Sequence, residues 1–182
     1  AGNELFVRRD YFLLKEVPTL LKGTVLQRTP IHEGAALQSG DRVEVVLTLE
    51  SRNHYEYLLF EDLKPAGLES VEVRSGGRAY ARQLSQKSIE RLEAEGIPSV
   101  NPAGAWRFTG KTRFIHQEWR DRRIALFLDE LPEGVWEIRY IMRAEVPGEF
   151  SAMPAVGHAM YIPEIRGNSR ENKLEVLDRS EF

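Results

Sequence analysis

Residues 121–171, DRRIALFLDELPEGVWEIRYIMRAEVPGEFSAMPAVGHAMYIPEIRGNSRE, constrain the fold more than any other stretch of this chain. Two strand-length apolar patterns, Ile124–Leu128 and Val135–Val146, flank Leu131-Pro132-Glu133-Gly134. A short connection carrying Pro and Gly between two such runs predicts a turn of the hairpin type. In the second run Trp136, Ile138, Tyr140, Met142 and Ala144 share one parity, while Glu137, Arg139, Arg143 and Glu145 share the other. Side chains alternate across a strand, so the first set defines a buried face and makes Trp136 a core anchor rather than a ligand platform. Pro147-Gly148 turns the chain once more.

The same period recurs upstream. Leu5, Val7 and Phe12–Leu14 lie in a first extended segment. Gly40-Asp41 launches RVEVVLTLE, where Val43, Val45, Leu47 and Leu49 alternate with Glu44, Thr48 and Glu50, the mark of a strand with one buried face. Tyr55–Leu63 follows, ended by Pro65-Ala66-Gly67. Val71 and Val73 begin a short strand, and Lys173–Leu177 form a last one. Eight or nine strands with turn signals between them, and no strand–helix alternation, predict an all-β fold, an antiparallel β-sandwich. Residues 75–112 break the rhythm. Leu84–Glu95 has the spacing of a short amphipathic helix, with Ile89 and Leu92 on one face and Ser85 or Ser88 as N-cap. Pro98, Asn101-Pro102 and Gly104 then read as loop. We expect one domain over residues 1–182, with 75–112 as a loop-and-helix excursion that is either a decorated loop or a contact surface for a neighbouring domain.

Composition narrows the function. With 182 residues the chain can bury a core without staples, and it has no cysteine, which removes disulfides, thiolate zinc sites and a cysteine nucleophile. A net charge of −3 gives no electrostatic footprint for nucleic acid or an anionic membrane surface. No apolar run approaches the ~18 residues of a membrane span, and no leader-like segment opens the chain. The start at Ala1-Gly2-Asn3 reads as part of a longer protein.

Chemistry is hard to find. His32, His54, His116 and His158 have no metal-ligand spacing. The carboxylate pairs Glu61-Asp62 and Asp129-Glu130 each place their members on opposite faces of a strand and sit where strands run out, so both are expected to be solvated strand ends. No nucleophile elbow and no phosphate loop appear. We expect no catalytic residue, no metal, no cofactor and no enzyme activity.

Several pieces nevertheless occur together in order. They are Val7-Arg8-Arg9-Asp10-Tyr11-Phe12, Gly40-Asp41-Arg42-Val43, Phe60-Glu61-Asp62 and Pro65-Ala66-Gly67. They continue with Asp121–Leu131 and Pro132-x-Gly134, then Tyr140-x-x-Arg143-Ala144-Glu145-x-Pro147-Gly148-x-Phe150 and Pro154-Ala155. The last is Ala159-Met160-Tyr161-x-Pro163-Glu164-x-Arg166-Gly167-Asn168-Ser169. In these pieces the chain resembles the C-terminal macroglobulin domain of bacterial alpha-2-macroglobulins, over most of its length outside 75–112.

The resemblance implies a macroglobulin (fibronectin-III-like) β-sandwich belonging to a large periplasmic protease trap, often lipid-anchored to the inner membrane through the parent's N-terminus. Many such proteins carry a Cys-x-x-Gln thioester that acylates the captured protease. Because this chain has no cysteine, the resemblance places that group upstream of it in a parent that carries one. The implied partners are the thioester domain of the same parent and, through the parent, target proteases, with no nucleic acid and no membrane insertion by this piece. The resemblance implies that Tyr161, with Met160 beside it, shields the thioester from water; the other reading of Tyr161 is that it caps the sandwich edge before Pro163. Animal relatives bind a clearance receptor through helix lysines; Lys87 is not carried over to that role. A second reading of the sandwich is a cell-surface adhesion or carbohydrate-binding module. A third, an enzyme, would have to use loop-borne carboxylates such as Glu61 or Asp129.

Overall fold

In the computed structural model, residues 4–19, 23–71, 79–85 and 108–179 are described. The strands in chain order are β1 (Leu5–Thr19), β2 (Gly23–Pro30), β3 (Ala36–Gln38), β4 (Arg42–Ser51) and β5 (Tyr55–Leu63). They continue with β6 (Leu68–Ser70), β7 (Ala79–Leu84), β8 (Phe108–Trp119), β9 (Arg123–Leu131) and β10 (Gly134–Ala144). The last are β11 (Gly148–Ala152), β12 (Val156–Ala159), β13 (Arg166–Asn168) and β14 (Asn172–Leu177). The fold is the expected sandwich of antiparallel sheets, with more strands than the eight or nine expected. Three-residue strands such as β3, β6 and β13 are too short to show a period.

One layer runs β2-β1-β4-β10, with β6 and β7 both pairing β10. The other runs β13-β12-β5-β9-β8. Strand β8 belongs to both: Thr112–Ile115 pair with β7, and His116–Trp119 pair with β9. A small sheet, β11-β14-β3, closes one side, and its β14–β3 pair is parallel.

The layers meet where period two put the apolar rows. Val43, Val45, Leu47 and Leu49 of β4 are fully buried, as are Trp136, Ile138, Met142 and Ala144 of β10. They face Leu58 and Phe60 of β5 and Ile124, Leu126 and Leu128 of β9, all in one cluster. Each Val, Leu, Ile, Met or Phe among them contributes about 1.5–3 kcal/mol by leaving water. Trp136 also donates its indole N–H to the Pro132 carbonyl at 2.9 Å, pinning the turn before β10.

Three expectations are corrected. β9 and β10 are not a hairpin: β9 pairs β5 and β8, whereas β10 pairs β4, β6 and β7. The Leu131–Gly134 connection is an arch from one layer to the other, because both strands carry apolar rows that meet face to face. Of the strand expected to begin at Val71 and Val73, Val71 is exposed and follows a short strand at Leu68–Ser70, whose Leu68 is buried, while Val73 lies outside the described residues. Within the 75–112 stretch read as an excursion, β7 and the first residues of β8 are ladder strands. Leu84 ends β7 rather than opening a helix, since its side chain is buried and its backbone pairs with Val135 and Phe108. Ser85 follows β7 outside any regular element, and residues 86–95 of the expected helix, Lys87 included, lie outside the described residues.

Candidate functional site

Two places combine polar or aromatic chemistry with fixed geometry. The first is inside the sandwich. On β1 the inward row is Leu5, Val7, Arg9 and Tyr11; on β5 it is Leu58, Phe60 and Asp62. Parity therefore drives a guanidinium and a carboxylate into the core, both side chains essentially without solvent contact. Asp62 is thus not a solvated strand end. Arg9 Nη1 donates to Asp62 Oδ1, and Tyr140 of β10 donates its hydroxyl to Oδ2. Arg9 Nη2 donates to the Ala152 carbonyl at 2.7 Å and to Asn172 Oδ1 at 3.4 Å, reaching the small sheet. The Arg9 guanidinium lies 5.3 Å from the Tyr11 ring centre, and the Trp119 and Tyr140 rings meet edge to face at 5.9 Å.

Burial pushes the Asp62 carboxyl above the usual carboxylate range, against the opposing pull of the Arg9 charge and the Tyr140 hydroxyl. Both Asp62 oxygens are engaged and enclosed, so this cluster offers a substrate nothing; it cross-links the three sheets. Burial also raises the Tyr11 and Tyr140 hydroxyls, with the nearby Asp62 charge adding to the rise. These phenols keep their protons at pH values where tyrosines of the unfolded chain, near pH 10, have lost theirs. Their contribution to stability is full below about pH 10 and falls as pH rises beyond it, by about 1.4 kcal/mol per pH unit for each group. Tyr11 Oη has no hydrogen-bond partner among the described residues. Tyr11→Phe is therefore expected to leave stability at pH 7 unchanged or slightly raised. It should also reduce the loss between pH 10 and 11 by about 1 kcal/mol relative to the unsubstituted chain, since an unfolded tyrosine is only about half ionised at pH 10, measured as urea-unfolding free energies at each pH. Equal losses in the two chains would refute the assignment.

The second place is the tip formed where β5 begins and β12 ends. Ala159 closes β12; Met160, Tyr161 and Ile162 then cross the end of the sandwich. A turn over Ile162-Pro163-Glu164-Ile165 returns the chain, with the Ile165 N–H donating to the Ile162 carbonyl at 3.0 Å. Pro163 presets the backbone of such a turn. The loop is tied at both ends, Ala159 N–H to the Ile165 carbonyl at 2.9 Å and Met160 N–H to the Tyr57 carbonyl at 2.8 Å. On this fixed frame Tyr161 is 76% exposed, the most exposed large apolar side chain among the described residues, with Met160 and Ile162 about half exposed. Such a concentration of exposed apolar surface marks a contact site.

The sequence-predicted Met160 and Tyr161 therefore stand together at the surface. Sequence reasoning missed Tyr57, whose ring meets Tyr161 edge to face at 5.4 Å and 86°. Its signal was parity: with Leu58, Phe60 and Asp62 inward, residue 57 points out, and an outward aromatic on a strand needs a reason. The remaining candidates do not converge with these. His54 Nε2 lies 4.0 Å from both Glu56 and Glu130 at the surface. Arg113 pairs with Glu130 at 2.8 Å and Arg123 with Glu61 at 3.0 Å. No helix among the described residues is long and apolar enough to cross a membrane.

Comparison with known proteins gives a consistent picture. The family described as "Bacterial Alpha-2-macroglobulin MG10 domain" matches residues 5–164. The chain is 26% identical over 170 residues to an alpha-2-macroglobulin homolog of Nostoc sp., covering 92% of this chain and 8% of the relative. Among solved structures, Salmonella alpha-2-macroglobulin reacted with methylamine superposes with a TM-score of 0.61 at 24% identity, over 97% of this chain and 9% of that one. Escherichia coli alpha-2-macroglobulin activated by porcine elastase also gives 0.61, at 23% identity, over 97% of this chain and 13% of that one. The chain thus spans less than a tenth of the length of the curated relative.

Proposed function

The chain belongs to the family of the bacterial alpha-2-macroglobulin MG10 domain, and from that premise we propose that it is the C-terminal sandwich of a periplasmic protease trap. In this reading the domain is a gate and not an enzyme. Its Met160–Ile162 tip packs against the thioester domain of the same parent and keeps water from the acyl group until a protease has cut the parent. The single observation that carries the reading is Tyr161, held on a loop tied at both ends yet left 76% exposed. A ring that large, kept out of its own core, is built to be covered by something else.

The chemistry agrees. A thioester is an activated acyl group, and water destroys it unless excluded. Tyrosine supplies an apolar face for that exclusion and a polar tip for the rim. That a solved relative is described as reacted with methylamine, a small nucleophile, and another as activated by elastase, supports a reactive acyl group and a cleavage trigger in this family. The edge-to-face geometry of Tyr57 and Tyr161 speaks against the carbohydrate-binding alternative, since two rings at 86° present no common platform for a sugar.

The test uses the full-length parent. Tyr161→Ala is expected to raise spontaneous thiol release, followed with a thiol reagent, by about tenfold, the factor given by roughly 1.4 kcal/mol of lost contact. Trypsin treatment should give covalent conjugates on a denaturing gel, and prior methylamine should abolish them. Unchanged thiol release in Tyr161→Ala would rule out the shielding role.

A further inference from the structure

We propose that Tyr57 is the positioning residue that presents Tyr161 for docking, an inference that rests on the reading of Tyr161 given above. Tyr57 is the one non-glycine residue with positive φ among the described residues, at φ 54°. A bulky side chain in the left-handed region is uncommon and costs about 1–2 kcal/mol. Such strain persists only where its surroundings impose it, and it gathers at functional sites.

Core packing does not account for it, because Tyr57 is 49% exposed. The ladder to β9 pairs Glu56 with Glu130 and Leu58 with Leu128, and skips Tyr57. On the other side, β12 pairs Ala159 with Leu58, and the Tyr57 carbonyl extends that edge by accepting the Met160 N–H at 2.8 Å. The left-handed turn thus breaks the alternation of β5, leaving Glu56 and Tyr57 both exposed, and sends the ring along the tip. There it meets Tyr161 edge to face at 5.4 Å. One residue therefore holds two successive residues of the loop, Met160 through its backbone and Tyr161 through its ring. An aromatic contact of this geometry is worth enough to bias one ring orientation over others by about 2- to 12-fold.

The test has two arms and three variants. Tyr57→Gly keeps the left-handed backbone and removes the ring. Tyr57→Phe keeps the ring and removes the hydroxyl. Tyr161→Gly reports on the shield itself. In the 182-residue chain, Tyr161 ring resonances are expected to sit away from free-tyrosine positions, to move to them in Tyr57→Gly, and to stay in Tyr57→Phe. The thermal midpoint of Tyr57→Gly should stay within about 3 °C of the parent value, since strain relief offsets the entropy of glycine. In the full-length protein, Tyr57→Gly should release thiol about 3- to 10-fold faster, with Tyr57→Phe within about twofold of the unsubstituted protein. If Tyr161 resonances do not move in Tyr57→Gly, or if Tyr161→Gly accelerates thiol release and Tyr57→Gly does not, the positioning role is overturned while the shielding reading stands. If neither glycine variant accelerates release, the shielding reading fails, and this inference with it.

Discussion

Replacing Gly167 by alanine is expected to cost about 3 kcal/mol of stability, the upper part of the range for overpacking a closed interior. In a domain of this size that lowers the melting temperature by about 6–12 °C. A Cβ on Gly167 would stand 2.3 Å from the Leu5 carbonyl oxygen and 3.1 Å from its carbon. Both are backbone atoms of β1, so no side-chain rotation can clear them; β13 must move away from β1. That contact joins the edge of one layer to the first strand of the other, so displacement would open the side of the sandwich. Gly34 provides the comparison. Its Cβ would meet nothing within 4 Å, but its φ of +85° is unfavourable for alanine, which costs only about 1–2 kcal/mol. Thermal unfolding of the two variants separates steric from conformational cost. A Gly167→Ala loss no larger than that of Gly34→Ala would show that β13 and β1 are not packed as described.

The second large effect concerns the charges between the layers. Asp62→Ala is expected to destabilise by about 3–5 kcal/mol, the range for breaking a buried pair. It leaves the Arg9 guanidinium enclosed with only the Ala152 carbonyl and Asn172 as acceptors, and the Tyr140 hydroxyl without one. Arg9→Met should cost a similar amount by orphaning the carboxylate. The double variant Arg9→Met with Asp62→Leu should recover most of the loss, because apolar groups of similar volume replace a buried ion pair with little penalty. The check is a double-mutant cycle from urea unfolding. Losses that simply add, with no coupling of roughly 2 kcal/mol or more, would mean that the two charges do not depend on each other.

This pair also shows how far the sequence could be read. Asp62 sits on the same parity as Leu58 and Phe60, and Arg9 on the same parity as Val7 and Tyr11. The rule that placed Trp136 therefore puts both in buried rows. Asp62 is instead expected at a solvated strand end, because Glu61-Asp62 sits where the strand runs out, and Arg9 enters only as part of a family motif. The partner lies 53 residues away. A period of two reports which side chains share a face. It carries no information about which face of which strand will stand opposite, and a buried charge becomes tolerable only through that opposite strand.

The tip divides in the same way. Met160 and Tyr161 were found from the order and spacing of short motifs. For Tyr57 parity signalled only an outward ring, because its part depends on one backbone dihedral and on a strand pairing between β5 and β12 that local pattern does not encode. The Leu131–Gly134 connection was recognised as a tight turn. Whether that turn makes a hairpin or an arch depends on whether its flanking strands find each other or other partners, and both outcomes satisfy the same local chemistry.

By itself, then, the sequence determined the class of fold, the identity of most core residues, the lack of any cysteine-borne chemistry and the family, since each follows from residue type, period or motif order. Only the tertiary structure decided the layer to which each strand belongs, the enclosure of Arg9 and Asp62 by the small sheet, and the meeting of Tyr57 with Tyr161. All three are contacts between segments far apart in the chain, and their energies exist only once the two layers have closed on each other.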